Sequence, residues 1–326
     1  MKFKSVHPQN QNTFYKSSQS LMVNQTILFL GDEEILKDLA KKGSETDIRY
    51  YNTKISGDEI TFLYPFKFPE RIQTLLNAAS VANKAILTVG ELDKSIGEFL
   101  LALDYHRITT LGVVADQAVV AQIKKITSGM GISVYPLNPK YEDLEKFAQL
   151  PAGAAKNDNM IVLDQSFQVK GVGTVSLGFV IGGQIKKHMV MKAYPSGKSV
   201  DIKSIQIMDV DMESASPFSR VGLAYRSAEV DDVPKGTILY SQEGMEFAES
   251  IQLNVRTNQT VKVAPTVGEK IQLNFLFNNI NAEISDISEG KYLIDVDKKV
   301  PVIDEIFSIT SLNSSPRVIG AGKPGN

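Results

Sequence analysis

The sequence predicts a multidomain protein of mixed class: an α/β domain followed by two all-β barrels. Three observations predict it. Apolar runs read alternately as strands and helices from residue 26 to about 150. Residues 151–159, PAGAAKNDN, are small, polar and aperiodic, as a linker is. Beyond them no helical period appears, and short alternating runs are broken by Gly-containing turn pairs at the spacing of barrel hairpins. The expected division is a tail over 1–25, the α/β domain over 26–150, the linker over 151–159, and barrels over 160–243 and 244–326.

Residues 1–26 hold three lysines, no acid and many Asn, Gln and Ser, so they bury too little apolar surface to order themselves. A flexible tail is expected. It has neither the arginines and amphipathic period of a transit peptide nor the apolar core of a secretory signal. Met22 just ahead of the first strand leaves a later start codon open. Residues 27–30 then read as a strand and 33–42 as a helix, followed by strands at 48–51 and 60–63 around a turn within 54–59. Pro69 opens a helix through Ala79, with Ile72, Leu75, Leu76 and Ala79 at helical spacing. Strands 85–89, 109–114 and 133–135 alternate with helices 95–103, 119–126 and 142–147, the order of a mostly parallel sheet covered on both faces.

The first barrel is organised around 167–181, FQVKGVGTVSLGFVI, which reads as a strand, a pinched turn and a second strand. Val169, Val175 and Leu177 supply a period-two apolar face, and Gly171, Gly173 and Gly178 sit where a bulge or close backbone approach is expected. Turn pairs follow at Gly182-Gly183, Ser196-Gly197, Lys235-Gly236 and Glu289-Gly290. Glu243 and Gly244 break the pattern before strands at 251–256, 270–277, 281–287, 292–296, 307–311 and 317–320.

Composition excludes several chemistries. The chain has 326 residues, 43% of them hydrophobic, enough for two to three cores. It has no cysteine, which removes disulfides, thiolate catalysis and cysteine-bearing zinc sites. It has three histidines, and no apolar run approaches the roughly 20 residues of a membrane span. A cytoplasmic protein with no membrane partner and no metal is expected. Basic and acidic residues number 18 and 18 over residues 1–159, 9 and 9 over 160–243, and 8 and 10 over 244–326. No domain carries a global positive field, so no DNA binding is expected and RNA would need a local patch.

Candidate residues outside the fold markers have bland readings. His188 reads as a solvated turn residue, and His106, beside Arg107, as a complement to a helix C-terminus; His7 falls in the tail. Asp209, Asp211 and Glu213 alternate along one solvent face and lack the glycine of a calcium loop. Gly171-Val172-Gly173 is no dinucleotide fingerprint, because Ser176 stands at the third glycine and no helix follows.

Gly171 to Gly183, GVGTVSLGFVIGG, together with Ile205 and Arg220-Val221-Gly222-Leu223-Ala224, resembles the second domain of translational GTPases. It resembles in particular the elongation factor that delivers selenocysteyl-tRNA. Residues 315–323, SPRVIGAGK, resemble the closing strand of the third domain in the elongation factor Tu family. This resemblance implies that the α/β domain is a P-loop-type GTPase domain and that tRNA, the ribosome or a translation factor is the partner. It also implies an aminoacyl pocket in the second domain. There, an Asp-Arg pair and an Arg before Val-Gly-Leu match Asp164, Gln165 and Arg220. Arg220 would offer a planar fork to an anion or ester, with Asp164 orienting it, while Gln165 replaces a cation. The alternative is a barrel-rim ion pair worth under about 1 kcal/mol.

The nucleotide motifs that the resemblance calls for are degenerate. A P-loop needs inward N–H groups, a Lys and a hydroxyl. With Gly31 as its first glycine, Lys37 falls at the lysine position, but Leu36 replaces the second glycine and Asp38 the hydroxyl. Asp32, Glu33 and Glu34 would lie against the phosphates; they suit the first turn of an ordinary helix instead. Tyr64-Pro65-Phe66-Lys67 stands where Asp-x-x-Gly belongs. Ala115-Asp116-Gln117-Ala118 stands where Asn-Lys-x-Asp belongs, with Asp116 a helix N-cap. The expectation is a degenerate GTPase domain with no bound GTP or magnesium and no catalytic residue. The alternatives are an atypical GTPase using Lys37, or a scaffold that binds only proteins.

Overall fold

A computed structural model describes residues 24–153, 155–241, 245–262 and 265–325. The expected tail and Met22 lie outside these residues, except that Asn24 and Gln25 are buried and Gln25 already begins the first strand.

The first domain runs β1 (Gln25–Leu30), α1 (Glu33–Leu39), β2 (Lys41–Glu45), β3 (Arg49–Ile55), β4 (Asp58–Tyr64), α2 (Ile72–Val81), β5 (Lys84–Thr88), α3 (Lys94–Tyr105), β6 (Thr110–Val114), α4 (Gln117–Ile126), β7 (Ser133–Pro136) and α5 (Tyr141–Ala148). Its sheet has the order β2-β3-β4-β1-β5-β6-β7. β4, β1, β5, β6 and β7 are parallel, and β2 and β3 form an antiparallel edge. Adjacent strand residues feed opposite cores: Ile27, Phe29, Tyr51 and Phe62 pack with α1 and α5, whereas Leu28, Leu30, Tyr50 and Leu63 pack with α2, α3 and α4.

Two local expectations change. The helix read over 33–42 stops at Leu39, and Lys41–Glu45 becomes an edge strand. After Leu39 the sequence Lys41-Lys42-Gly43-Ser44 offers no apolar residue for a helix to bury, while a lysine-rich strand suits a sheet edge. The hairpin turn placed within 54–59 shrinks to Ser56-Gly57, both at positive φ, 51° and 92°.

The first barrel contains β8 (Met160–Val169), β9 (Gly173–Gly182), β10 (Ile185–Lys186), β11 (Val190–Tyr194), β12 (Ser199–Ile207), β13 (Val210–Met212), β14 (Ser214–Ala215), β15 (Arg220–Tyr225) and β16 (Ile238–Tyr240). The order β11-β16-β8-β9-β15-β12, with β12 paired back to β11, closes the ring. Val175 and Leu177 lie on its half-buried outer face; Thr174 and Ser176 point inward instead. The inward hydroxyls are satisfied locally, since Ser176 and Ser166 bond at 2.6 Å and Gln168 donates to Thr174 at 2.8 Å. The second barrel, β17 (Phe247–Arg256), β18 (Lys270–Phe275), β19 (Asn278–Ser288), β20 (Lys291–Pro301), β21 (Phe307–Thr310) and β22 (Val318–Pro324), closes in the order β17-β20-β19-β18-β21-β22.

One apolar core runs through all three units. Helices α2 and α3 lie against β18 and β22 of the second barrel. Arg317 clamps Glu98 of α3 through Nε at 2.9 Å and Nη2 at 2.5 Å, and Arg256 donates to the Asp104 carboxylate at 2.8 Å. His106 caps α3 and meets Ser308 at 3.0 Å. It does not complement the helix dipole as expected. Burial holds its pKa down to about 4, so the ring is neutral at pH 7.

Candidate functional site

Asp164 and Arg220 do come together, and they do so at the seam between the α/β domain and the first barrel. The β8–β9 register slips between Leu163 and Gln165, which leaves Asp164 in a bulge that redirects its side chain. Opposite it, a Cβ on Gly178 would stand 2.4 Å from the Val162 carbonyl oxygen, so only glycine lets the strands approach this closely. Gly171 and Gly173 serve differently, holding the hairpin turn at φ 80° and 106°.

Arg220, the first residue of β15, donates from Nη2 to Asp164 Oδ2 at 2.9 Å and to Ser44 Oγ of β2 at 2.8 Å. Its guanidinium lies 3.7 Å from the ring centre of Tyr50 in β3, and Tyr50 packs on Phe179 of β9 at 5.8 Å. Side-chain exposure is 0% for Asp164 and 10% for Arg220, so this is a buried pair and not the solvated rim pair considered from sequence. Burial, and then the charge of Asp164, push the Tyr50 hydroxyl well above the usual tyrosine range, so it stays protonated beside the carboxylate. Gln165 is half-buried and contributes no hydrogen bond to the pair among the described residues. A cavity of about 290 Å³ opens on the Arg220 side, its lining mixed: Ser44, Asn52, Gln206 and Asp209 beside Leu177 and Met208. Sequence reading missed Ser44 and Tyr50, because a strand-core tyrosine and an edge serine carry no local signal of what lands on them.

The β1–α1 connection is only Gly31-Asp32. Gly31 has φ 122°, and a Cβ there would stand 2.1 Å from the Thr88 carbonyl oxygen, so packing against β5 alone requires this glycine. Asp32 caps the helix by accepting from Glu34 N at 3.0 Å, as the N-terminal acids suggested. Glu33 is held by Arg49 at 2.8 Å and Tyr51 at 2.5 Å. Lys37 pairs with Glu34 at 2.5 Å on the exposed helix surface, and that hydrogen bond raises its pKa.

The Tyr64–Lys67 segment is likewise tied down. Phe66 lies under Arg49 at 4.0 Å, and Lys67 meets Asp47 at 2.7 Å. Asp47 also takes Lys235 of the first barrel at 2.9 Å. The hydrogen bonds from Lys67 and Lys235 hold its pKa at about 2. Asp116 caps α4, accepting from Val119 N at 2.8 Å. His188 is exposed in its turn, with Arg226 at 2.7 Å from its Nδ1. Asp211 bonds Gln206 and Glu213 pairs with Lys187, and among the described residues no cluster of acids and histidines is arranged to hold a metal. Nor is any helix among them long and apolar enough to cross a membrane.

A mixed α/β domain with a mostly parallel sheet, followed by two closed six-stranded barrels, is the architecture shared with elongation factor SelB. No family model matches the chain. It is 28% identical over 301 residues to the uncharacterized protein MJ0325 of Methanocaldococcus jannaschii, covering 91% of this chain and 97% of that one. It is 24% identical over 297 residues to the selenocysteine-specific elongation factor of the same organism, covering 82% of this chain but only 62% of the relative. Translation elongation factor SelB from Methanococcus maripaludis, solved with the GTP analogue GppNHp, shares the fold with a TM-score of 0.76 at 20% identity over 94% of this chain and 79% of that one. The chain is thus similar in sequence and fold to translational GTPases, the selenocysteine-specific elongation factor among them.

Proposed function

We propose that this chain is an elongation-factor-like binding protein whose α/β domain is a fixed scaffold and no longer a GTP-hydrolysing switch. Its barrels engage tRNA, the ribosome or a translation factor. The observation that carries this reading is the Gly31-Asp32 turn. Two residues cannot wrap a polyphosphate in backbone N–H groups, and the helix N-terminus where an anion would sit already receives Asp32, with Glu33 and Glu34 beside it. The Tyr64–Lys67 segment supports it, since Asp47 ties it to Lys235 where a switch would have to move. A relative named as a selenocysteine-specific elongation factor supports translation as the setting.

Asp164 and Arg220 are the aminoacyl-type site in this reading, with Ser44 and Tyr50 as its cover. An acyl group reaches Arg220 through the cavity beside Gln206, or by displacement of the β2–β3 hairpin. Sequencing RNA cross-linked to the purified chain tests the proposal. Enrichment of tRNA or of one ribosomal RNA region is the expected result, and recovery of random RNA alone would count against it. A stoichiometric protein partner without RNA would move the reading to a protein-only scaffold.

A further inference from the structure

The cleft between the two barrels has a lining that the acyl-type site does not explain. It encloses about 1040 Å³, between the β11–β12 turn and residues 234–236 on one side and β17, β19 and β20 on the other. Tyr194 and Phe247 stack across the seam with ring centres 5.6 Å apart and planes 8° from parallel, and Tyr240 meets Phe247 edge-on at 6.3 Å. Tyr194 and Tyr240 are 5% exposed, whereas Phe247 is 39% exposed. A ring held from behind by two buried aromatics, with part of its surface in an open cleft, is a stacking platform.

The groups around the platform are complementary to a base and a phosphate. Asn279 and Asn281 are exposed on β19 and bring both amide donors and carbonyl acceptors, which suit the edges of a base. Lys298 and Lys299 are exposed on β20, and Asp297 is the one acid in the lining among the described residues. Among the described residues Lys299 pairs with Glu249 at 3.5 Å, both side chains being largely solvated, so a phosphate displaces that contact readily. Tyr194 Oη donates to the Lys299 carbonyl at 2.8 Å, which fixes the lysine-bearing backbone against the aromatic floor. Lys235 completes the positive rim while held by Asp47.

From this arrangement we infer that the inter-barrel cleft binds a nucleotide unit, its base stacked on Phe247 and its phosphate at Lys298 and Lys299. The unit is either a free mononucleotide or an unpaired position of an RNA strand. The inference rests on the cleft alone and is independent of whether the α/β domain binds GTP. Adenine probes are therefore used.

The test is fluorescence anisotropy of the full chain with labelled hexa-adenylate RNA, beside calorimetry with adenosine monophosphate. Binding of the RNA is expected, with Phe247→Leu weakening it about tenfold or more and Phe247→Tyr preserving it. Lys298→Ala with Lys299→Ala is expected to weaken binding and to flatten the slope of log affinity against log salt by roughly one unit. Those two lysines are exposed, so the double variant keeps the test open if Phe247→Leu unfolds the protein. Mononucleotide binding with the same dependence on Phe247 assigns a free nucleotide, and RNA binding without it assigns a strand. Failure of both probes to bind, or RNA binding that neither set of substitutions alters, would overturn the inference and leave the proposed function standing.

Discussion

Arg220→Ala is expected to lower the unfolding free energy by about 3–5 kcal/mol, the usual consequence of removing one member of a buried pair. The Asp164 carboxylate would remain at 0% exposure without its cation, and Tyr50 and Ser44 would lose the group that joins β3 and β2 to the first barrel. Chemical unfolding followed by tyrosine fluorescence measures this, the chain having 11 tyrosines and no tryptophan. Replacing the pair together, Asp164→Leu with Arg220→Met, is expected to recover most of the loss, because no uncompensated charge is then buried. A loss under about 1 kcal/mol for Arg220→Ala would mean that the pair behaves as a solvated surface bridge.

Gly31→Ala is expected to cost about 3 kcal/mol or more, and the cause is packing rather than ligand binding. The added Cβ would overlap the Thr88 carbonyl and hydroxyl oxygens at 2.1 Å, and φ 122° is strained for any L side chain. Thr88 also accepts from Asp32 N at 2.6 Å, so the overlap displaces the cap of α1 as well. Lys37→Ala serves as the contrast. Among the described residues its side chain pairs with Glu34 on the exposed face, and unfolding is expected to be unchanged. If Lys37 still belonged to a phosphate site, Lys37→Ala would abolish stabilisation by added nucleotide while leaving the free protein unchanged.

The fold was legible wherever a segment carried its own apolar period. The helices at 72–81 and 94–105 have clear buried stripes, and the Gly-bearing turns mark the barrel hairpins. The edge strand β2 was not legible, because Lys41-Lys42-Gly43-Ser44 has no period of its own and becomes a strand only by pairing with β3. The inward side of β9 was misread for a related reason. Thr174 and Ser176 look like surface residues until Gln168 and Ser166 are seen to satisfy them from β8.

At the candidate site, motif resemblance named Asp164 and Arg220, but not their surroundings. Ser44 lies 176 residues before Arg220, in a different domain, and no spacing rule links the two. The choice between an open pocket and a rim pair depended on that contact. The clamps between the α/β domain and the second barrel were equally silent: Arg317 reads as part of a closing-strand motif, and Glu98 as an ordinary helix acid, until they meet.

The measurement closest to the central claim is calorimetric titration of the full chain with GTP and with GDP, each with magnesium. A fixed scaffold with Asp32 seated at its own helix N-terminus is expected to give no binding of either nucleotide up to millimolar concentration. Micromolar binding of GTP or GDP would contradict it and restore a nucleotide switch to the α/β domain.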